Sequence, residues 1–192
     1  MSAAGDRAGR SRAGAVRSAK DLRLRVAALE WILTDVDGVL TDGRLYYGPE
    51  GESWKCFHVQ DGLGLKLAQR AGLKVGLLSA RGGPAVEVRA AELGLDAVVT
   101  LREDKGQAFR EFLDGQRVRA RRVAYAGDDL VDLPILLACG LSFAPADAAP
   151  EVRDRVDHTL AAPGGHGAVR EMVEWILRAR GDWERVVDTY LA

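Results

Sequence analysis

Short apolar runs bounded by turn residues alternate along the chain with longer segments of helical periodicity, beginning near residue 29. Short apolar runs are typical of buried strands, whereas apolar residues three or four positions apart are typical of helices. The predicted strands are 29–34, 44–47, 53–59, 74–78, 97–100, 122–126, 141–143 and 157–160. The predicted helices are 63–71, 84–94, 104–113, 130–138, 168–178 and 183–191.

The order of these elements predicts the fold class. Strands separated by helices of about ten residues favour a parallel sheet, here an α/β fold with three layers and doubly wound (Rossmann-like) topology. The strands 44–47 and 53–59 flank a Gly-Pro-Glu-Gly turn, so we expect a β-hairpin inserted after the first strand. No internal repeat and no second domain are apparent in the sequence.

The first residues differ from the rest of the chain. Residues 1–22 hold five basic and two acidic residues and almost no large apolar ones. So little apolar surface does not offset the entropy lost on ordering, which predicts a disordered tail at 1–22 and one domain at 23–192. The segment also lacks the continuous apolar stretch of a secretory signal.

Composition narrows the choice of compartment and partner. The 192 residues are 47% hydrophobic and 29% charged, with a formal net charge of -1, which favours a globular protein with no nucleic-acid partner. No apolar run approaches the roughly 20 residues that cross a bilayer, so no membrane partner is expected. The two cysteines, Cys56 and Cys139, form neither a disulfide framework nor a metal-binding Cys-x-x-Cys pair. We therefore expect a reducing, cytoplasmic location.

Polar side chains follow several of the predicted strands. Asp35 and Asp37 come after the first strand, Ser79 after the strand 74–78, and Asp128 after the strand 122–126. Ligand sites in open α/β sheets lie outside the carboxyl ends of the strands, and residues two apart in an extended chain point the same way. These groups are therefore expected to converge in one crevice.

Clustered carboxylates repel one another unless a cation is present, and Mg²⁺ prefers carboxylates, water and substrate phosphate as ligands. Asp35 and Asp128 are the expected side-chain ligands, which leaves the other member of the first Asp pair for proton transfer. Lys105, near the start of a predicted helix, supplies the positive charge that phosphoryl transfer requires.

Each of these residues also has a purely structural interpretation. An Asp-Gly pair after a strand is often only a turn, and Asp128 or Asp129 can cap the helix that follows. Lys105 is alternatively a surface lysine, and Ser79 a helix cap. A calcium loop does not fit, because Gly38 comes too early for that motif and no Glu closes it.

The same residues resemble the motifs of the haloacid dehalogenase superfamily phosphatases. The run 33–43, with the sequence LTDVDGVLTDG, resembles the first motif, and Ser79 in LSAR matches the second. Lys105 matches the third, and 127–132, with the sequence GDDLVD, matches the fourth. The four appear in order, and the resemblance covers residues 30–180.

Further segments resemble, more narrowly, the 3-deoxy-D-manno-octulosonate 8-phosphate phosphatases. They are Asp42-Gly43, Lys55-x-Phe57-x-x-x-Asp61-Gly62 and Pro163-Gly164-Gly165-x-Gly167-Ala168-x-Arg170-Glu171. The nononate 9-phosphate phosphatases and the phosphatase-like domains attached to sialic-acid cytidylyltransferases share this signature. Such members lack a large cap domain and assemble as homotetramers through the hairpin, with a neighbouring subunit covering the site. This chain departs from the family at His166, where arginine is more frequent.

The resemblance implies a Mg²⁺-dependent phosphomonoester hydrolase that acts on 3-deoxy-D-manno-octulosonate 8-phosphate, a small sugar-acid phosphate. It implies that Asp35 is the nucleophile and that Asp37 is the general acid and base. Mg²⁺ is then held by Asp35, Asp128 and the backbone carbonyl of Asp37. Ser79 and Lys105 are implied to bind the phosphoryl oxygens.

Other residues are candidates for supporting roles. Asp132 is expected to orient Lys105 or a metal-bound water, with Asp129 beside it. Arg81 and Arg170 are candidates for binding the substrate carboxylate, because guanidinium meets carboxylate bidentately. For Arg170, a structural pair with Glu174 four residues along the helix is an equally good explanation.

Alternative functions remain open at this point. A nononate 9-phosphate phosphatase differs in its substrate by one hydroxymethylene unit, and a catalytically silent assembly module would use the same fold. A phospho-accepting receiver domain fits less well, because its acceptor Asp lies on a middle strand. All the motif positions are filled and no transferase domain is attached, which favours an enzyme.

Overall fold

The computed structural model of the chain describes residues 19–49 and 51–191. The strands are Trp31–Thr34 (β1), Tyr46–Gly48 (β2), Gly51–Trp54 (β3), Lys74–Leu78 (β4), Ala97–Val99 (β5), Val123–Ala126 (β6), Leu141–Ala144 (β7) and His158–Thr159 (β8). The helices are Ala19–Ala27 (α1), Val59–Arg70 (α2), Pro84–Leu93 (α3), Lys105–Gln116 (α4), Leu133–Ala138 (α5), Pro150–Arg153 (α6), Ala168–Arg180 (α7) and Trp183–Asp188 (α8). Short 3₁₀ turns cover Ala120–Arg122 and Leu130–Asp132.

The main sheet is parallel throughout, with strand order β5-β4-β1-β6-β7-β8. The chain starts at the central strand β1, runs outward through β4 and β5, and then returns to β6 on the other side of β1. The carboxyl ends of β1 and β6 therefore flank the topological switch point, where α/β sheets form their crevice. The predicted α/β, doubly wound class is confirmed.

Helices cover both faces of this sheet. The strands are apolar on both faces, as is typical of a parallel sheet packed between two layers of helices. Ile32 of β1 packs into a core that includes Val173 and Ile176 of α7. Trp31 and Leu33 of the same strand pack on the opposite face, in a core that includes residues of α4 and α5. Every residue of β1, β6 and β7 is buried, as expected of central parallel strands.

The strands β2 and β3 form a separate antiparallel pair, with Tyr47 opposite Glu52. The turn residue Glu50 lies outside the described residues. Tyr46, Tyr47 and Trp54 are respectively 44%, 66% and 74% exposed, so this pair presents a strongly aromatic surface.

The first helix begins within the segment that was predicted to be a tail. Residues 19–22 belong to α1, so the predicted boundary at 22/23 falls inside the helix, and residues 1–18 lie outside the described residues. Val26 is fully buried. The guanidinium of Arg25 donates to the carbonyl of Gly140 and lies 2.8 Å from the Asp157 carboxylate. These partners are more than a hundred residues away in sequence, which is why local composition did not predict the helix.

The second helix also begins earlier than predicted. The sequence favoured a strand to residue 59 and a helix from 63, whereas β3 ends at Trp54 and α2 begins at Val59, after His58 in extended conformation. The aromatic and β-branched residues at 57–59 have strand propensity, but burial of Leu65, Leu67 and Ala68 against the core outweighs it. No helix of the described residues is long and apolar enough to span a bilayer.

Candidate active site

The ends of three neighbouring strands, β4, β1 and β6, bring together the predicted polar residues. Asp35 follows β1 and donates its backbone N–H to the carbonyl of Ala126 in β6, which fixes the two strand ends against each other. A cavity of about 310 Å³ opens at this edge of the sheet. Its lining includes Asp35, Asp37, Ser79, Arg81, Lys105, Asp128 and Asp129.

Lys105 is the positive centre of this site. It opens α4 directly after the N-cap Asp104, whose side chain accepts the backbone N–H of Gln107 at 2.8 Å. The Lys105 Nζ lies 2.7 Å from Asp35 Oδ2 and 2.6 Å from Asp132 Oδ1, and its side chain is 1% exposed. Burial lowers the pKa of Lys105, but Asp132 and Asp35 together raise it above its ordinary value. Lys105 is therefore a buried, fixed ammonium group and not a surface lysine.

Asp132 organises the surrounding groups. Its Oδ1 accepts from Lys105 and from the hydroxyl of Tyr125, each at 2.6 Å. Its Oδ2 accepts the backbone N–H groups of Asp128 at 3.1 Å and Asp129 at 3.3 Å. Both oxygens are thus engaged by the protein, which suits Asp132 to positioning Lys105 and the loop after β6. Nothing in the sequence signalled Tyr125, because an aromatic residue in a buried strand is ordinarily core.

Asp35 and Asp128 form a crowded carboxylate pair. One oxygen from each of Asp35, Asp128 and Asp132 lies within 4.8 Å of the others. Burial, followed by the negative charge of Asp132, raises the pKa of Asp35 from 3.8 to about 6. Burial and then the charges of Asp132 and Asp35 raise the pKa of Asp128 from 3.8 to about 8. The protein therefore holds these carboxylates together at a considerable electrostatic cost.

A divalent cation fits this arrangement. Asp35 Oδ1 is buried and has no hydrogen-bond partner among the described residues. Gly38 has a left-handed φ of 82°, and a Cβ added there would meet the Asp128 carboxylate, so glycine suits the 35–38 turn where this carboxylate lies against it. Hard oxygen ligands in such a cluster are what Mg²⁺ prefers. Because Asp132 is already saturated, Asp35 and Asp128 remain the side chains suited to hold the ion.

Asp37 lies beside Asp35 with a different set of partners. Its Oδ1 is 2.5 Å from the Nζ of Lys55, whose side chain is 3% exposed. Its Oδ2 is buried and has no hydrogen-bond partner within the described part of the chain. Lys55 belongs to the signature segment Lys55-x-Phe57-x-x-x-Asp61-Gly62, and the structure buries its side chain against Asp37.

Ser79 and Arg81 occupy the loop after β4. Ser79 is 2% exposed, and its backbone N–H donates to the carbonyl of Val99 at 2.8 Å. Its Oγ accepts the backbone N–H of Arg81 at 3.3 Å, which bends the loop toward the cavity that both residues line. Asp129 is the N-cap of the turn Leu130–Asp132, in a reciprocal capping box with Asp132. The cap predicted at 128 or 129 is therefore Asp129.

Arg170 lies elsewhere. Its Nε donates to Glu174 Oε1 at 2.6 Å, the structural pair that the sequence offered as the alternative. Its guanidinium also lies 5.6 Å from the ring centre of Trp183 in α8. Arg170 lines a separate, mainly apolar cavity with residues of α2 and α8, and it is absent from the described lining of the Asp35 cavity. Within this chain, the substrate-binding role predicted for Arg170 is not supported.

The C-terminal glycine segment packs against the first motif. A Cβ at Gly164 would lie 2.0 Å from the carbonyl oxygen of Gly38, and one at Gly165 would lie 2.4 Å from the carbonyl carbon of Thr41. His166 Nδ1 is 2.8 Å from the carbonyl oxygen of Gly164. The glycines therefore allow two loops to touch, and the backbone of this segment buttresses the turn that carries Asp35.

Asp61 joins the two outlying signature segments. It is 1% exposed, and its carboxylate accepts the backbone N–H groups of Gly167 at 3.2 Å and Arg170 at 2.8 Å. Burial raises its pKa above the ordinary value, against the lowering effect of these hydrogen bonds. Asp61 lies in α2, and it thus accepts hydrogen bonds from backbone N–H groups at the start of α7, which have no partner within that helix. The spacing of these segments reflects packing between the two helices.

Known proteins share both the sequence and the fold. The chain is 44% identical over 160 residues to the 3-deoxy-D-manno-octulosonate 8-phosphate phosphatase KdsC of Haemophilus influenzae, covering 83% of this chain and 89% of that protein. The cobalt-bound structure of the Haemophilus influenzae deoxy-D-mannose-octulosonate 8-phosphate phosphatase matches with a TM-score of 0.83 and 42% identity, over 88% of this chain and 99% of that one.

A second solved structure is the 3-deoxy-D-manno-octulosonate 8-phosphate phosphatase from Moraxella catarrhalis, in complex with a magnesium ion, a phosphate ion and a KDO molecule. It matches with a TM-score of 0.85 and 31% identity, over 89% of this chain and 98% of that one. No family model matches the sequence. The identity to the curated relative, extending over most of both chains, confirms the resemblance carried by the motifs. The chain belongs to the 3-deoxy-D-manno-octulosonate 8-phosphate phosphatase family of the haloacid dehalogenase superfamily.

Proposed function

We propose that this chain is a Mg²⁺-dependent phosphatase that hydrolyses 3-deoxy-D-manno-octulosonate 8-phosphate to the sugar acid and phosphate. The observation that carries the proposal is the buried Lys105, held between Asp35 and Asp132 at the floor of a cavity. A buried ammonium beside an unpartnered carboxylate oxygen suits phosphoryl transfer, in which negative charge must be stabilised where it develops. The activity of the relatives supports the same conclusion.

The reaction begins with attack of the Asp35 carboxylate on phosphorus. The new bond gives an aspartyl-phosphate, and the bond from phosphorus to the sugar oxygen breaks. Asp37 protonates the departing oxygen, which leaves as a hydroxyl group. In the second step Asp37 takes a proton from the water that attacks the aspartyl-phosphate, so phosphate is released and Asp35 is restored.

The remaining residues bind the phosphoryl group and would hold the metal ion. Ser79 and Lys105 bind the phosphoryl oxygens, and Asp132 keeps Lys105 in place through the contact at 2.6 Å. Asp35, Asp128 and the backbone carbonyl of Asp37 would hold Mg²⁺, which when bound offsets the negative charge of the carboxylates and the phosphoryl group. A relative that contains magnesium, phosphate and KDO supports this choice of ion.

The substrate's carboxylate is assigned to Arg81. This residue lines the cavity and is joined to Ser79 through its backbone N–H, so its side chain starts beside the phosphoryl-binding group. A nononate 9-phosphate is the alternative substrate, because one hydroxymethylene unit is a small difference for an open cavity.

We infer that the enzyme works as a cytoplasmic homotetramer. The exposed aromatic residues of the β2–β3 pair, Tyr46, Tyr47 and Trp54, support self-association because such a patch is ordinarily covered. The count of only two cysteines supports a reducing compartment. Sedimentation of the purified chain should give the mass of four subunits, and replacing Tyr47 and Trp54 with serine should shift it to smaller species. An unchanged mass would contradict this surface as the interface.

Phosphate release from the eight- and nine-carbon acid phosphates, with Mg²⁺ and with EDTA, tests the main proposal. We expect turnover only with the metal and a higher kcat/KM for the eight-carbon substrate. Asp35→Asn should abolish turnover while the circular dichroism spectrum is unchanged. An inactive parent chain with intact fold and bound Mg²⁺ would instead favour a silent assembly module, and activity retained by Asp35→Asn would rule out the nucleophile.

A further inference from the structure

Lys55 and Asp37 form a partly buried ion pair, and Lys55 has no role in the proposed reaction steps. Strand alternation beyond β3 turns Lys55 inward, since the side chain of Trp54 is 74% exposed, Cys56 is exposed and the side chain of Lys55 is only 3% exposed. The Nζ reaches Asp37 Oδ1 at 2.5 Å. A charge is buried in this way only where a partner compensates it, so the pair is an organised feature of the site.

The two oxygens of Asp37 are consequently not equivalent. Oδ1 is engaged by Lys55, whereas Oδ2 is buried without a hydrogen-bond partner among the described residues. A carboxyl group that acts as an acid and then as a base must present one oxygen to the substrate throughout both steps. A free carboxyl group rotates about its terminal torsion, whose energy wells are broad, and an anchored oxygen removes that freedom.

We infer that Lys55 is the positioning residue of the general acid and base: it anchors Asp37 Oδ1 and so assigns proton transfer to Oδ2. In the first step Asp37 is in its acid form, with Oδ1 accepting from Lys55 and the proton on Oδ2. That proton passes to the sugar oxygen as Asp35 forms its bond to phosphorus and the bond from phosphorus to the sugar oxygen breaks, which leaves Asp37 as the carboxylate paired with Lys55. In the second step the water oxygen bonds to phosphorus, the bond from phosphorus to Asp35 breaks, and Oδ2 takes the water proton, so that Asp37 returns to its acid form. The inference rests on the proposed function, because it requires Asp37 to be the proton donor.

Lys55 acts through Asp37 and not on the substrate. The described residues that line the cavity include Asp37, Lys105 and Arg81, but not Lys55. Lys105 already supplies the ammonium group that faces Asp35, at 2.7 Å. The two lysines therefore have separate roles: Lys105 binds the phosphoryl group, and Lys55 positions Asp37, which protonates the leaving oxygen.

This division predicts a dependence on the leaving group. The ratio kcat/KM reports only the steps up to formation of the aspartyl-phosphate. An alkyl leaving oxygen needs a proton in that phase, whereas the nitrophenolate of p-nitrophenyl phosphate departs without one. Lys55→Met keeps a long apolar stem and removes the anchor. It should lower kcat/KM for the octulosonate phosphate by about 10²-fold, the scale of misplacing a catalytic group, and for the aryl ester by less than about threefold.

The matched control is Lys74→Met. Lys74 is exposed at the opposite, amino end of β4, where its Nζ lies 5.3 Å from the ring centre of Trp31. This variant should leave both kcat/KM values unchanged. Thermal unfolding of each variant separates a folding defect from a catalytic one, since a misfolded fraction lowers both substrates' values by the same factor.

A double-mutant cycle with Asp37→Asn completes the test. If Lys55 works only through Asp37, Lys55→Met should cause no further loss on the alkyl ester in the Asp37→Asn background. Equal losses on the two esters, or a full Lys55 effect in that background, would overturn the inference. An inactive parent chain would refute the proposed function instead, and an active parent whose Lys55→Met variant is unimpaired would refute the positioning role alone.

Discussion

The Nζ of Lys105 lies 2.6 Å from Asp132 Oδ1, and both side chains are almost completely buried. The pair joins the start of α4 to the turn after β6, elements that carry two of the four motifs. Because Asp132 also accepts from Tyr125 and from two backbone N–H groups, one carboxylate links Lys105, the proposed phosphoryl-binding lysine, to the loop that we propose holds the metal.

Asp132→Asn should weaken both stability and turnover. The substitution keeps the shape but removes one of the two countercharges of Lys105, and breaking a buried pair typically costs about 3–5 kcal/mol. Urea unfolding measures the loss of stability, and kcat should fall with it. Asp129→Ala is the comparison for stability, because it removes an exposed carboxylate that caps the same turn and should cost about 1 kcal/mol. Equal stability of the two variants would refute the organising role of Asp132.

The metal-free protein should become less stable as the pH rises. The folded-state pKa values of Asp35 and Asp128 are raised from 3.8 to about 6 and about 8. From the unfolded value of 3.8 up to about 8, the folded state holds protons that the unfolded chain has released. The free energy of unfolding therefore falls as the pH increases. The decline should begin above pH 4 and level off beyond pH 8.

Thermal unfolding between pH 5 and 9 in EDTA measures this slope. Mg²⁺ binds the deprotonated carboxylates, so its stabilising effect should grow over the same interval. Asp128→Asn should flatten the metal-free slope above pH 6 and remove most of the Mg²⁺ effect. A metal-free stability that rises with pH in this window would contradict the carboxylate crowding.

Arg81 and Arg170 should differ in their effect on substrate affinity. Arg81→Ala removes a guanidinium from the cavity lining and should raise KM for the sugar-acid phosphate by about 10- to 100-fold, the value of a hydrogen-bonded charge pair. Glycerol phosphate, which lacks a carboxylate, should be far less affected. Arg170→Gln breaks only the pair with Glu174 and should change KM by less than about threefold. Steady-state kinetics on the two substrates decides between these roles, and a larger effect at Arg170 would reverse the assignment.

Two glycine-to-alanine substitutions should have opposite signs. Gly164→Ala would place a Cβ 2.0 Å from the carbonyl oxygen of Gly38, so it should destabilise the protein by about 1–3 kcal/mol and lower activity. Gly115 lies in α4, and outside its own helix no heavy atom of the described residues comes within 4 Å of an added Cβ, so Gly115→Ala should stabilise the protein by about 0.5–1 kcal/mol. Chemical unfolding measures both. If Gly164→Ala is neutral, the contact between the two loops is not a tight one.

Much of the site was predictable because its signals are local. Asp35, Ser79 and Asp128 each follow an apolar run, and parallel strands align such ends at one edge of the sheet. The ends of helices were also indicated by local sequence. Pro84 lies in the first turn of α3, and Gly94 ends that helix in left-handed conformation. Helix α1 was not predicted and the start of α2 was misjudged, since burial against distant elements overrode local propensity there.

The roles of some residues depend on contacts that the local sequence does not indicate. The signature that contains Lys55 was visible in the sequence, but its pairing with Asp37 depends on how the segment after β3 returns to the sheet. Arg170 was a reasonable ligand by residue type, yet the register of α7 directs it to Glu174 and Trp183. Tyr125 gave no signal, because its hydroxyl matters only through Asp132.

The sequence by itself determined the α/β class, the family and the set of acidic, serine and lysine groups at the strand ends, because hydrophobic period and motif spacing are properties of neighbouring residues. Only the tertiary structure decided that Asp132 uses its carboxylate to hold neighbouring groups in place, whereas Asp35 and Asp37 each keep one oxygen without a hydrogen-bond partner among the described residues. It also decided which lysine contacts which aspartate. Those choices depend on distances of a few ångströms between segments far apart in the chain, and no local pattern encodes them.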